Sequence, residues 1–134
     1  MSLIDDIKKS EGFRSRVYQC TEGFDTIGYG FAIKDLVLDK DIAEMILKRK
    51  IGEIRLRLLQ KLPFIKDLPE EVQDVCIEMC YQMGVSGFSK FKKAIQHLMT
   101  KDFEDAALEM LDSRWAKQTP NRAKKLSDVV KYAK

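Results

Sequence analysis

Glu11, Cys20 and Thr26 are the residues of this chain whose types and spacing offer chemistry. From Glu11 to Gly30 the chain reads EGFRSRVYQCTEGFDTIGYG, an acid at the end of a short helical pattern followed by a glycine-punctuated hairpin pattern. Cleaving a glycosidic bond requires a proton for the leaving oxygen and, in inverting enzymes, a group that orients water on the opposite face of the sugar. Glu11, at a helix end under a hairpin, is a candidate for that acid if partial burial weakens its acidity. Thr26 can hold a water through its hydroxyl. Cys20 stands where a second carboxylate would be expected, and an ordinary thiol, titrating near about 8.5, is mostly protonated at neutral pH. No histidine lies close in sequence to activate it. Three readings of Cys20 stay open: it orients water, it attacks the sugar to form a thioglycosyl intermediate, or it is a passive turn residue. Asp25 offers a carboxylate, but adjacent strand residues point to opposite faces, so Asp25 and Thr26 should not share a cleft.

The elements that must position these groups follow from the pattern. Leu3, Ile4 and Ile7 recur at helical spacing and predict a first helix to about Glu11. Arg16–Gln19 and Asp25–Tyr29 read as paired strands around a Thr21-Glu22-Gly23 turn, the one β region of the chain. Asp39 suits the N-cap of a long helix to about Gln60 with an apolar stripe of Ala43, Leu47, Ile51, Ile54 and Leu58. Pro69 opens the next helix, whose face is Val72, Val75, Cys76, Met79, Cys80 and Met83, and Gly84 stops it. Further helices carry Phe91, Ile95, Leu98 and Met99, then Phe103, Ala106, Ala107, Met110 and Leu111. A last one starts at Thr119-Pro120 and buries Leu126, Val129 and Val130. The fold class is α+β, predominantly α, in a single domain 1–134. A hairpin lobe at 12–38 is joined by an interlobe helix at 39–60 to a helical lobe made of 61–134 plus 1–11. A cleft between such lobes is a natural ligand site.

At 134 residues the chain is long enough for a core without staples, and its 45% apolar and 34% charged content excludes a disordered segment. No apolar run approaches the roughly 18 residues that span a bilayer. The start, MSLIDDIKKSEG, places acids where a signal peptide needs a basic flank, so synthesis in a cytosol is expected. The cysteines Cys20, Cys76 and Cys80 form no disulfide framework; Cys76 and Cys80 share a helical face and read as buried apolar residues. With His97 as the sole histidine, a Cys/His zinc site is excluded, and no cofactor is expected. The net charge of +3 is uneven: Arg114, Lys117, Arg122, Lys124, Lys125, Lys131 and Lys134 face one acid, Asp128, over the last 21 residues. That basic stretch reads either as a solvated helix face or as an attraction for an anionic polymer.

The hairpin stretch resembles the phage lysozyme family typified by the T-even phage enzyme, muramidases that cut peptidoglycan glycan strands. The family spacing of Glu, eight residues, Asp or Cys, five residues and Thr is met by Glu11, Cys20 and Thr26, and Glu22-Gly23, Thr26-Ile27-Gly28 and Gly30 match its hairpin. Downstream, Gln82-Met83-Gly84, Ser113-Arg114-Trp115 and Gln118-Thr119-Pro120-Asn121-Arg122-Ala123 match as well. Three departures stand out. Cys20 replaces the commoner aspartate, Phe31 sits where many relatives carry histidine, and the segment from Phe31 to the long helix is short, which should open the cleft. The C-terminus also ends early.

The resemblance implies a lysozyme-like fold and an endolysin hydrolysing the β-1,4 bond between N-acetylmuramic acid and N-acetylglucosamine, with inversion and as a monomer. It implies Glu11 as general acid, Cys20 and Thr26 as the groups placing water, and Arg122 as a partner of Glu11. Glu22, Gly30, Tyr81, Gln82 and Thr119 are implied sugar contacts. The implied partner is cell-wall peptidoglycan, with no nucleic acid and no membrane anchor. The implied location is the host cytoplasm, with release through a holin-type pore. The competing class is a catalytically degenerate wall-binding or nucleic-acid-binding helical domain; nucleic-acid binding would weaken steeply with salt and ignore Glu11→Gln.

Overall fold

In the computed structural model, which describes residues 2–134, Ser2 caps the first helix, α1 (Leu3–Glu11). Its hydroxyl oxygen accepts the Asp5 N–H at 3.2 Å, Asp5 and Asp6 lie at the positive end of the helix dipole, and Lys8 and Lys9 lie at the negative end. Beyond Gly12 come three antiparallel strands in the order β1 (Arg14–Gln19), β2 (Asp25–Gly28) and β3 (Phe31–Ala32). Tyr18 pairs with Thr26, and Thr26 in turn pairs with Ala32. The register slips between Arg14 and Tyr18, which marks a bulge in the first pair. The third strand is not expected from sequence: two residues are too few to show alternation. A 3-10 turn, Ile33–Asp35, follows it.

Contacts divide the chain into two compact units, Met1–Ala43 and Glu44–Lys134. Where the sequence reading groups residues 1–11 with 61–134, the structure groups α1 with the sheet. The Phe13 and Tyr29 rings, 5.3 Å apart, join the two, as does the Lys8 ammonium 5.7 Å from the Tyr29 ring. Among the described residues of this unit one side chain, Thr26, is buried, at 3% exposure. Its neighbour Asp25 is exposed, as strand alternation requires.

The second unit holds the hydrophobic core. Helix α2 (Lys40–Lys61) follows Asp39, whose carbonyl accepts the Ala43 N–H at 2.9 Å. Its expected stripe is buried from Ile51 onward only: Leu58 is fully buried and Ile51 and Ile54 partly so, whereas Ala43 and Leu47 are exposed. The core of this unit reaches the C-terminal half of the helix, around Leu58, Ile65 and Leu68. Helix α3 (Glu70–Phe88) begins directly after Pro69 and buries Val72, Val75, Cys76, Ile77, Met79 and Cys80. Gly84, at φ 82° and ψ 158°, breaks the helix where the sequence places its stop, and helical geometry resumes to Phe88.

Helices α4 (Lys92–Met99), α5 (Phe103–Leu111), α6 (Arg114–Gln118) and α7 (Pro120–Lys131) complete the chain. α5 packs on α4 and α7, and α7 also covers α3 and α6. Two sequence expectations fail here: Met99 and Leu111 are exposed, since each stands at the last position of its helix and beyond its buried face. The five-residue α6 is too short for a periodic signal; Ser113 caps it by accepting the Ala116 N–H at 3.1 Å.

Cys76 and Cys80 are free and buried one turn apart. Burial pushes both thiols up to about 12, with the neighbouring Cys80 adding to the effect on Cys76. An unfolded chain releases these protons from about 8.5 upward while the folded chain keeps them, so their contribution to stability is full below that pH and is lost as pH rises toward 12. Thermal unfolding followed from pH 8 to 11 should therefore show a steeper fall in Tm for the wild type than for the Cys76→Ala/Cys80→Ala variant. Equal slopes would contradict this.

Candidate active site

Glu11 ends α1 and Gly30 stands between β2 and β3, and the two meet. A Cβ built on Gly30, whose φ is +76°, would lie 2.5 Å from Glu11 Oε2 and 3.0 Å from its carboxyl carbon. Only a residue without a side chain lets the backbone come this close to the carboxyl. Glu11 itself is exposed rather than partly buried as expected, because no buried apolar side chain of its own unit stands around it.

Cys20 directly follows β1. The turn from Cys20 to Phe24 closes through two backbone bonds: the Cys20 N–H donates to the Phe24 carbonyl at 3.0 Å, and the Gly23 N–H donates to the Cys20 carbonyl at 2.9 Å. The half-buried thiol is held below its ordinary range. Hydrogen bonding from the Phe24 backbone contributes most, then that from the Glu22 backbone. Burial opposes the shift, the Thr26 hydroxyl assists it, and the Glu22 carboxylate opposes it. Thr26 comes from β2, and its hydroxyl donates to the same Phe24 carbonyl at 2.9 Å. With its one proton placed there, Thr26 offers its oxygen as an acceptor, which suits it to accept a hydrogen bond from a water molecule.

Glu11, Cys20, Glu22, Thr26 and Gly30 line one cleft of about 310 Å³ within the first unit. Tyr18, Phe24, Ala32, Lys34 and Asp35 complete its lining. Sequence reasoning did not single out Phe24 or Lys34. The available signals were the close following of Cys20 by Phe24 and a lysine-aspartate pair just past the sheet. Among the described residues no three His, Cys, Asp or Glu side chains gather into a metal site.

The remaining candidates belong to the second unit. Tyr81, 46% exposed on α3, lines a groove of about 370 Å³ with Lys50, Arg57 and Gly84. Trp115 links two others. Its indole N–H donates to Gln82 Oε1 at 2.9 Å, and its carbonyl accepts the Thr119 hydroxyl at 3.0 Å. Trp115 is buried, and its ring meets Phe91 edge-on at 6.0 Å. Arg122 Nε donates to Glu78 Oε2 at 2.8 Å, an ion pair between α7 and α3 with both side chains about two-fifths exposed. Glu78 was not anticipated as the partner of Arg122, since 44 residues separate them.

Gly30→Ala separates two effects. The left-handed backbone should cost about 1–2 kcal/mol of stability in urea unfolding. The Glu11 carboxyl, a flexible side-chain end, should swing away at little further cost. Any activity that uses the Glu11 carboxyl should fall on the order of a hundredfold. Unchanged activity in Gly30→Ala would contradict the contact's importance.

Residues 8–131 match the family described as phage lysozyme. The chain is 32% identical to probable T4-type lysozyme 2 of Dictyostelium discoideum, over 96% of this chain and 92% of that protein. Its identity to probable T4-type lysozyme 1 of the same organism is 26%, over 96% and 93%. It is also 27% identical to an endolysin of Acyrthosiphon pisum secondary endosymbiont phage 1, over 86% of this chain and 77% of that protein. The mostly helical architecture with its small antiparallel sheet agrees with that family, and a match from Lys8 to Lys131 spans both units. The chain belongs to the phage lysozyme family.

Proposed function

We propose that this chain is a muramidase that hydrolyses the β-1,4 bond between N-acetylmuramic acid and N-acetylglucosamine in peptidoglycan, with inversion at the anomeric carbon. The observation that carries this reading is the shared cleft of Glu11, Cys20 and Thr26 in a chain of the lysozyme family. Glu11, covered by the bound glycan in place of the burial its free carboxyl lacks, gives its proton to the glycosidic oxygen as the C1–O bond breaks. A water held by Cys20 and Thr26 adds to C1 from the opposite face. Its surplus proton goes to the sulfur in its thiolate form and returns through solvent to the Glu11 carboxylate, restoring the starting state. The thiolate is the better acceptor for that proton, and the hydrogen bonds that hold the thiol below its ordinary range favour it.

Glu22 and Gly30 contact sugar in this reading, as do Tyr81, Gln82 and Thr119, with Arg122 in support. The basic stretch from Arg114 to Lys134 draws the protein to an anionic wall. We assign the chain the role of a phage or prophage endolysin acting as a monomer, in line with the name of one relative. It accumulates in the host cytoplasm and passes to the wall through a holin-type pore. No helix among the described residues is long and apolar enough to cross a membrane.

Release of new reducing ends from purified peptidoglycan tests the assignment. Glu11→Gln should lose about a hundredfold or more of the activity, within the range of general-acid contributions. Cys20→Asp should keep activity and Cys20→Ser should fall moderately. Full activity in Glu11→Gln would overturn the mechanism, and full activity in Cys20→Ser would remove the thiol from it.

A further inference from the structure

The Lys34 ammonium has no part in the roles above, yet it lines the same cleft as the thiol and the hydroxyl, beside the Phe24 turn that anchors both. The Phe24 oxygen accepts two donors, the Cys20 N–H at 3.0 Å and the Thr26 hydroxyl at 2.9 Å, so both of its lone pairs are engaged. The Phe24 backbone also contributes most to holding the Cys20 thiol below its ordinary range. Lys34 Nζ lies 3.8 Å from the centre of the Phe24 ring. Lys34 belongs to the 3-10 turn after β3, so this one contact ties the Cys20–Phe24 turn to a separate stretch of chain. The ring is 40% exposed, so burial alone does not fix it and the cation takes part of that task.

We propose that Phe24, held across its ring by Lys34, is a positioning residue for the Cys20–Thr26 pair, fixing where the sulfur and the hydroxyl oxygen point into the cleft. The proposal rests on the reading that this pair holds the attacking water. A carboxylate at position 20 would present two oxygens in one plane, either of which can orient a water. A thiol presents a single acceptor atom, so the placement of that atom carries more of the task. The Thr26 proton goes to the Phe24 carbonyl, and the Thr26 hydroxyl also favours the ionised sulfur. While the sulfur is a thiol, its S–H can donate to Thr26 and Thr26 to Phe24; once it is a thiolate, the Thr26 proton can turn to it. The Phe24 carbonyl holds the Thr26 hydroxyl and the Cys20 backbone N–H, the two points from which both atoms are placed. The charged and titratable groups that share the cleft with the thiol are Glu11, Tyr18, Glu22, Lys34 and Asp35. Of these, Glu22 opposes the thiolate by its charge.

Two readouts on the full chain test this: kcat and KM for peptidoglycan release, and the pH dependence of Cys20 alkylation by iodoacetamide. Cys76 and Cys80 are buried thiols and stay silent in the second assay, and their continued silence also reports that the variant is folded. Lys34→Met should lower kcat about two- to fivefold, the range of an exposed cation–π contact, with KM unchanged. It should also move the onset of alkylation up toward that of an ordinary thiol near about 8.5. Phe24→Ala should lower kcat about tenfold or more. Lys34→Arg and Phe24→Tyr keep a cation over a ring and should restore both readouts.

Wild-type alkylation and kcat in Lys34→Met and Phe24→Ala would overturn the proposal. A rise in KM with kcat unchanged would overturn it too, by making Lys34 a direct substrate contact. A shifted alkylation profile with unchanged kcat would likewise sink it, since the turn would then hold a sulfur that the reaction does not use. Failure of the muramidase reading itself would show separately, as no release of new reducing ends by the wild type.

Discussion

A single carbonyl oxygen, that of Phe24, accepts both the Cys20 backbone N–H and the Thr26 hydroxyl, and the geometry of the first unit hangs on it. That unit buries no apolar side chain among its described residues, so it cannot be organised by the packing that orders a hydrophobic core. Its order comes instead from short-range hydrogen bonds, from ring contacts such as Phe13 with Tyr29, and from glycines that turn the chain where a side chain would not fit. Such a unit can place a few polar atoms closely while remaining the less cohesive part of the molecule. The second unit is built the opposite way. Leu58, Ile65, Val72, Met79 and Val130 are almost wholly withdrawn from water, and the stability of the chain rests there.

This division matters for the sulfur. A thiol in the buried environment of Cys76 or Cys80 is forced to stay protonated, whereas Cys20, in a turn lined with backbone donors, is eased toward the thiolate. The same side chain is therefore an inert core filler in one unit and an ionisable cleft residue in the other. The difference is made by two or three hydrogen bonds and by access to water, with no histidine or metal needed beside the thiol.

Much of this was legible in the sequence, for physical reasons that can be named. The helix ending at Glu11, the turn after Cys20 and the strand carrying Thr26 are local features, signalled by capping residues, glycines and alternation, and they lie within 16 residues of one another. The buried faces of α3, α5 and α7 were legible for the same reason, since a helix repeats its core-facing residues every three or four positions. Other features were not legible. The Trp115–Gln82 hydrogen bond joins residues 33 apart and the Arg122–Glu78 pair residues 44 apart, and no periodicity encodes which polar groups meet across helices. The exposed Ala43 and Leu47 show the same limit: a stripe announces which face could be covered, while the extent of the partner surface decides how far along the helix the cover reaches. Lys34 over Phe24 is a tertiary contact of two ordinary residues, invisible until β3 and its following turn bring them together.

The central claim is that Cys20 and Thr26 hold a water while Glu11 supplies the proton, with no bond ever formed between sulfur and sugar. That claim fixes the stereochemistry of the product. Proton NMR of the newly released reducing ends, recorded before mutarotation sets in, reads it directly. Single-step displacement by water at a β-linked carbon should give the α-anomer first. Initial release of the β-anomer would mean two successive displacements, a covalent intermediate, and an account of Cys20 that is wrong.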